Sequence, residues 1–175
     1  MAKAEALSEW QIRNIHSLVL KGIDAEEAGR YRRENVVIAG ASTTPPDFMH
    51  LPAEMAALID WYEAAGDMHP VERAAELHTR FVKIRPFIDG NGRTGRRLLN
   101  FELMKAGYPP AIIRKEDRLA YYDALDKACV SGEYGDITRL VAESAQRSLG
   151  TYLDVLGLRH APAPDTAPPS PGFRP

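Results

Sequence analysis

Residues 85–96 read RPFIDGNGRTGR, and how this stretch folds decides the rest of the chain. Gly90 and Gly92 flank Asn91, and glycine takes the positive φ that a side chain resists. Successive backbone N–H groups can then point one way. Joined to the unsatisfied amides of a helix N-terminus, such a nest suits a chain of phosphates. Arg93 and Arg96 stand three apart on the first turn of the helix expected from about Gly92 or Arg93, so both guanidinium groups project near the same end. Each can grip phosphate oxygens in bidentate fashion. Two cations at a helix N-terminus oppose the macrodipole unless an anion is supplied. The stretch therefore predicts an anion-binding turn between two helices, holding the phosphates of a nucleotide through Gly90, Asn91, Gly92, Arg93 and Arg96. It is not a Walker A loop, because no G-x-x-x-x-G-K-[ST] occurs.

Neighbouring side chains have two readings each. Asp89 can hold a magnesium ion that also bridges phosphates, or it can cap the helix or pair with Arg93 or Arg96. Asn91 can cap the helix or donate its amide to a phosphate. Phe87 and Ile88 are expected to anchor the turn in the core.

Outward from the turn the pattern is helical. Ser8 with Gln11 reads as a capping box, and Ile12, Ile15, Leu18 and Val19 follow at helical spacing, so a helix is expected over about 8–21 with Gly22 as its stop. Pro52 and Pro70 each open a further helix. The first carries Met55, Leu58, Ile59 and Tyr62 to Gly66, and the second carries Val71, Ala74, Ala75, His78, Phe81 and Val82 to Pro86. Beyond the turn, Leu98, Leu99, Phe101, Leu103 and Met104 are apolar on more than one side, which predicts a central helix ending at Gly107. Two more are expected over 115–130, with Leu119, Tyr122 and Leu125 inward, and over 134–157, with Ile137, Leu140, Val141 and Leu149 inward. Only GRYRRENVVIAGASTTPP, residues 29–46, has a β signal, at Val36, Val37 and Ile38, and a short hairpin or flap is expected there. From His160 the chain is proline-rich and predicts an extended tail.

The totals fit one globular domain: 175 residues, 45% hydrophobic and 26% charged. A formal net charge of −2 argues against a nucleic-acid-coating surface or a polybasic membrane anchor. Cys129, the single cysteine, is expected as a buried thiol. No apolar run is long enough for a membrane span or signal peptide, which predicts a cytoplasmic protein.

With these residues in view, PFIDGNGRTGR resembles the signature of the Fic (Fic/Doc) family, H-P-F-x-[D/E]-G-N-G-R-x-x-R. The resemblance continues through GRYRRENVVIAG, LIDWY, HPVERAAELHTRFVKI, LLNFELMKAGYPP and RLAYYDALDKA, covering about residues 8–150. It implies an all-α, Fic-type helical core with a short β-hairpin flap, in which residues 1–7 are an extension, 8–158 the domain and 159–175 the tail. It further implies that ATP and Mg²⁺ bind and that AMP passes to a Ser, Thr or Tyr hydroxyl of a target protein. Asp89 would hold the metal, and the flap at Val36, Val37 and Ile38 would dock the target segment by strand addition. Tyr121 and Tyr122 would approach the nucleotide or simply pack in the core.

One position departs from the pattern. Arg85 stands where the family has its catalytic histidine, the general base for the attacking hydroxyl. Arginine stays protonated and has no acceptor, so it cannot take that proton. The other histidines offer no replacement: His78 reads as core, His69 as a helix start, and His16, His50 and His160 have no positional claim. Three accounts stand side by side: an engineered inactivation, a natural nucleotide-binding pseudo-enzyme, and a changed reaction in which Arg85 stabilises charge. The resemblance also implies an inhibitory segment, [ST]-x-x-x-E-[GN], pairing with Arg96. This chain has none, so inhibition would come from a missing N-terminal part, from an antitoxin-like partner, or not at all.

Overall fold

The computed structural model describes residues 7–158 and, within them, six α-helices and no strand. They are α1 (Glu9–Leu20), α2 (Leu51–Ala64), α3 (Pro70–Ile84), α4 (Asn91–Lys105), α5 (Arg118–Ser131) and α6 (Gly135–Val155), with 3-10 turns at Phe48–His50 and Ala65–Asp67. The proline-rich tail expected over 159–175 lies outside the described residues.

Local signals set the helix ends. Ser8 Oγ accepts from the Gln11 amide and Gln11 Oε1 accepts from the Ser8 amide, completing the capping box. Pro52 and Pro70 occupy first turns, and His69 Nδ1 accepts from the Val71 amide at the start of α3. α4 begins at Asn91, a residue or two before the expected start, because Gly90 already has φ 75° and caps it.

Helices α3 and α4 form a central hairpin with a core on either side. Leu77, Phe81, Ile84 and Leu98 pack against α1 and α2 through Ile12, Leu51, Met55, Leu58 and Tyr62, a cluster that also buries Leu7 and Phe87. Val71, Ala74, Ala75, Leu99 and Leu103 pack against α5 and α6 through Tyr121, Ala124, Ala128, Ile137 and Val141. The two central helices approach closely at Gly95, where a Cβ would stand 2.8 Å from His78 Nδ1 and 2.9 Å from Val82 Cγ1. Tyr62 donates to Glu102 at 2.6 Å, and Arg73 pairs with the same buried carboxylate, tying α2, α3 and α4 together.

Four expectations are corrected. Of the apolar residues expected to make α4 central, Leu98, Leu99 and Leu103 are buried, whereas Phe101 and Met104 are exposed. The inward stripe of α5 is Tyr121, Ala124, Ala128 and Cys129; Leu119 and Tyr122 face out. Small alanines, weak in any hydrophobic count, let α5 lie close to α3. Leu149 on α6 is likewise exposed. Finally, the β-hairpin flap is not seen. Backbone groups on either side of Val36–Ile38 are held by side chains: Arg32 donates to the Glu34 and Pro46 carbonyls, Asn35 accepts from the Phe48 amide, and Asp126 accepts from the Ser42 and Thr43 amides.

Candidate functional site

The turn joining α3 to α4 is fixed from behind. Arg85 ends α3 in the left-handed region, φ 49° and ψ 60°, the sole non-glycine residue with positive φ among those described. Its amide donates to the Phe81 carbonyl at 3.1 Å, and its carbonyl accepts from Arg32 Nε at 2.9 Å. The Arg32 amide donates to the Pro86 carbonyl, also at 2.9 Å. Arg32 is itself buried, and burial first, then the nearby charge of Arg85, pulls its pKa below the ordinary arginine value.

Phe87 is fully buried and stacks on His16 with ring centroids 3.6 Å apart. The Asn91 side chain clamps Phe87 at both backbone groups, accepting from its amide at 3.0 Å and donating to its carbonyl at 2.7 Å. Asn91 therefore does not cap α4: its side chain holds Phe87 at both backbone groups, and its backbone N–H has no partner among the described residues. His16 Nδ1 accepts from the Gly29 amide at 2.9 Å, so the proton of the neutral ring sits on Nε2 and is donated to the Asp89 carbonyl at 3.0 Å. Burial lowers the His16 pKa and keeps the ring neutral. Gly90 is needed twice over: its φ is 75°, and a Cβ there would come 3.0 Å from His16 Nε2. Gly92 is needed for neither reason: it is helical, and a Cβ there would meet only Arg96 Nη1, at 3.5 Å. A side chain would fit at Gly92, and its absence keeps the front of the turn bare.

That front opens on a cleft of about 980 Å³. Among the described residues the amides of Asn91, Gly92 and Arg93 have no hydrogen-bond partner, and all three residues line the cleft. Arg85, Arg93 and Arg96 line it too. Arg93 pairs with Asp89 at 2.8 Å, whereas Arg96 has no ion pair among the described residues. Arg85 Nε is buried there without a partner. Asp89 keeps 70% of its side chain exposed, so its pairing with Arg93 is readily exchanged for another ligand.

The far wall comes from α5 and from residues 38–43. Tyr121 and His78 Nε2 form a short buried hydrogen bond, burial holding the imidazole neutral with its pKa down to about 4. Burial pushes the Tyr121 hydroxyl up to about 12, with Arg96 opposing. Tyr122 is half exposed and lines the cleft. Asp126 holds the wall segment: Ser42 and Thr43 donate their amides and Thr43 its hydroxyl to this carboxylate, which lowers its pKa. Val37 is 86% exposed, and the amides and carbonyls of Val36 and Val37 have no partner among the described residues. Cys129 is the buried thiol expected, raised to about 11 by burial.

The expected residues thus converge on one cleft, except that Val36 and Val37 lie beside it. His16, Arg32 and Asp126 are additions. Their partners lie far off in sequence, at Asp89, Arg85 and Ser42, and no local motif marks them.

Comparison with known proteins agrees with this architecture. Residues 6–103 match the model of the Fic/DOC family, and the chain belongs to that family. It is 43% identical over 141 residues to a protein adenylyltransferase Fic of Culex quinquefasciatus, covering 79% of this chain and 28% of that protein. The corresponding protein of Nematostella vectensis is 41% identical over 156 residues, covering 86% and 35%. This chain therefore spans about a third or less of these relatives. Among solved structures, C. elegans Fic-1 (residues 134–508) superposes with a TM-score of 0.77 at 34% identity, covering 86% of this chain and 44% of the other. A Fic domain-containing signaling protein of Bacteroides thetaiotaomicron gives 0.75 at 32%, covering 90% and 67%.

Proposed function

We propose that the chain binds ATP at the α3–α4 turn and is built to move AMP from ATP to a Ser, Thr or Tyr hydroxyl of a target protein, with Arg85 impairing the chemical step. The observation that carries this reading is the set of three unpartnered amides at the start of α4, facing a cleft lined by Arg85, Arg93 and Arg96. Free amides, a helix dipole and guanidinium groups together select a polyphosphate. The adenylyltransferase names of the relatives support AMP as the transferred group.

Arg85 occupies the end of α3 where the motif would place a histidine. Its guanidinium has donors only, so it can neutralise phosphate charge and cannot accept the hydroxyl proton. Loss of a general base costs about 10²–10⁴ in rate, while positioning and charge stabilisation remain. A nucleotide-binding module without turnover is the second reading, and the buried, unpartnered Arg85 Nε favours it, since this position is equipped to bind an anion.

Magnesium fits as a phosphate-bridging ion. No cluster of three or more metal-ligating side chains occurs among the described residues, and an ion held mainly by phosphate oxygens and water needs one carboxylate, which Asp89 supplies. When bound, it would neutralise charge on the phosphates. A target segment would add its backbone to the free edge of Val36 and Val37 beside Ile38. Arg96, without an ion pair, is the natural seat for the carboxylate of an antitoxin-like inhibitor.

Calorimetry with ATP and Mg²⁺, together with labelled-AMP transfer by the Arg85→His variant, tests both halves. Binding by the parent chain with transfer gained in the variant is expected. Absence of binding removes the nucleotide reading, and binding without any gain leaves the non-catalytic module.

A further inference from the structure

The buried side chains of α6 are Ile137, Val141, Ser144 and Ala145. From Gln146 to Val155 no residue of the helix is buried. Apolar side chains nevertheless continue the same stripe: Leu149, Tyr152, Leu153 and Leu156 follow Ala145 at helical spacing, with Val155 on the flank. Tyr152 is 51% exposed, Leu156 67% and Val155 80%. A helical stretch of about ten residues is marginal in water by itself, so an apolar stripe laid along one calls for a covering surface. The stripe carries no charge. Arg147 and Asp154 fall off its spacing, and Arg147 is paired with Asp117 at 2.8 Å. None of the stripe residues lines the cleft.

We infer that this end of α6 pairs, antiparallel, with the same segment of a second copy of the chain. The order of the residues selects that occupant. Leu149 lies three residues before Tyr152, and Leu156 three residues after Leu153, so the stripe is symmetric in position about the Tyr152–Leu153 bond. A two-fold axis there sets Leu149 against Leu156 of the second copy and Tyr152 against its Leu153, each contact occurring twice. Such an axis also brings each central residue close to its own counterpart, where a charge would meet its like; here the centre is uncharged. The exposed apolar side chains offer on the order of 500 Å² per chain and about 1,000 Å² for the pair, the lower limit for a specific interface. The dimer is therefore weak and exchanging, and it leaves both clefts open.

The test is sedimentation equilibrium on the whole chain from about 10 μM to about 1 mM, where a monomer–dimer equilibrium with a Kd on the order of 10⁻⁴ M is expected. A Tyr152→Gln/Leu156→Gln double variant should associate at least about tenfold more weakly, its fold checked by the melting curve. Leu18→Gln, which removes an equally exposed leucine from α1, should associate like the parent. Single cysteines then fix the geometry, the native Cys129 being buried. Leu153→Cys beside the axis should link to itself under mild oxidation. Leu149→Cys should not, because its two copies stand about 10 Å apart along the helices, yet it should link to Leu156→Cys when the two variants are mixed. A chain that stays monomeric throughout overturns the inference and leaves the stripe to a different protein or another part of the polypeptide. Association unchanged in the double variant, or equally weakened by Leu18→Gln, also overturns it, as does a dimer that Leu153→Cys fails to link. Self-linking by Leu149→Cys would mean a parallel pair and overturns the antiparallel arrangement.

Discussion

The turn at residues 85–93 and the segment at residues 29–46 face the same cleft and are held in opposite ways. Behind the turn, the backbone groups of Arg85 and Phe87 and the carbonyls of Pro86 and Asp89 are occupied by Arg32, Asn91, His16 or α3, while the amides in front are left open. The segment is instead tacked down at a few points by Arg32, Asn35 and Asp126, and Val36 and Val37 between them are unpaired. A small, invariant ligand such as phosphate rewards a site that needs no reorganisation. A peptide of variable sequence rewards a backbone edge that is free to pair. Rigidity and openness are thus divided between two stretches on one cleft.

The largest effect expected to sharpen this contrast is on turnover. Arg85→His should raise labelled-AMP transfer about 10²–10⁴-fold while ATP affinity changes little; equal shifts in both would mean that the turn itself had been reshaped. Next comes pH. The folded-state pKa of His78 lies at about 4, below its unfolded value of about 6.5, so the unfolded chain binds more protons in between. Stability is therefore full above about pH 6.5 and is lost as pH falls toward 4, by on the order of 3 kcal/mol from this group. His16, also lowered, acts in the same direction behind the turn. Asp126 is depressed as well, and its contribution persists until pH falls through its lowered folded value. Denaturation at stepped pH should therefore show the helical frame weakening at mild acidity while residues 42–43 stay attached; release of 42–43 first would reverse the comparison.

Gly90→Ala should cost about 1–2 kcal/mol for the left-handed backbone alone, with the His16 contact added, as read from denaturant midpoints. Gly92→Ala, by contrast, should leave stability nearly unchanged and weaken ATP binding, because the methyl occupies the open front. Smallest of all, Asp126→Ala should lower stability by about 1 kcal/mol, since this anchor is only partly buried, yet speed proteolysis within 36–43.

The sequence made the helical frame legible because period, proline and the Ser8 box are local signals, and His78 followed from its place on an apolar stripe. The turn between two helices was legible for the same reason, its glycines and arginines being adjacent. What escaped depends on contacts between distant residues. The hairpin expected from Val36, Val37 and Ile38 is not seen; the flanking backbone at Glu34, Pro46, Ser42 and Thr43 is held by Arg32 and Asp126, whose reach no propensity encodes. Asn91 was read as a cap or a phosphate donor, yet its side chain serves Phe87. On α5, Leu119 and Tyr122 had the stronger hydrophobicity, and Ala124 and Ala128 had the fit.

His16 spans the two regions with a single ring, one nitrogen on Gly29 and the other on Asp89. Because an imidazole that stays neutral has one donor and one acceptor, both ends are satisfied together or the ring must turn. The start of residues 29–46 and the back of the α3–α4 turn are thereby fixed to one planar strut.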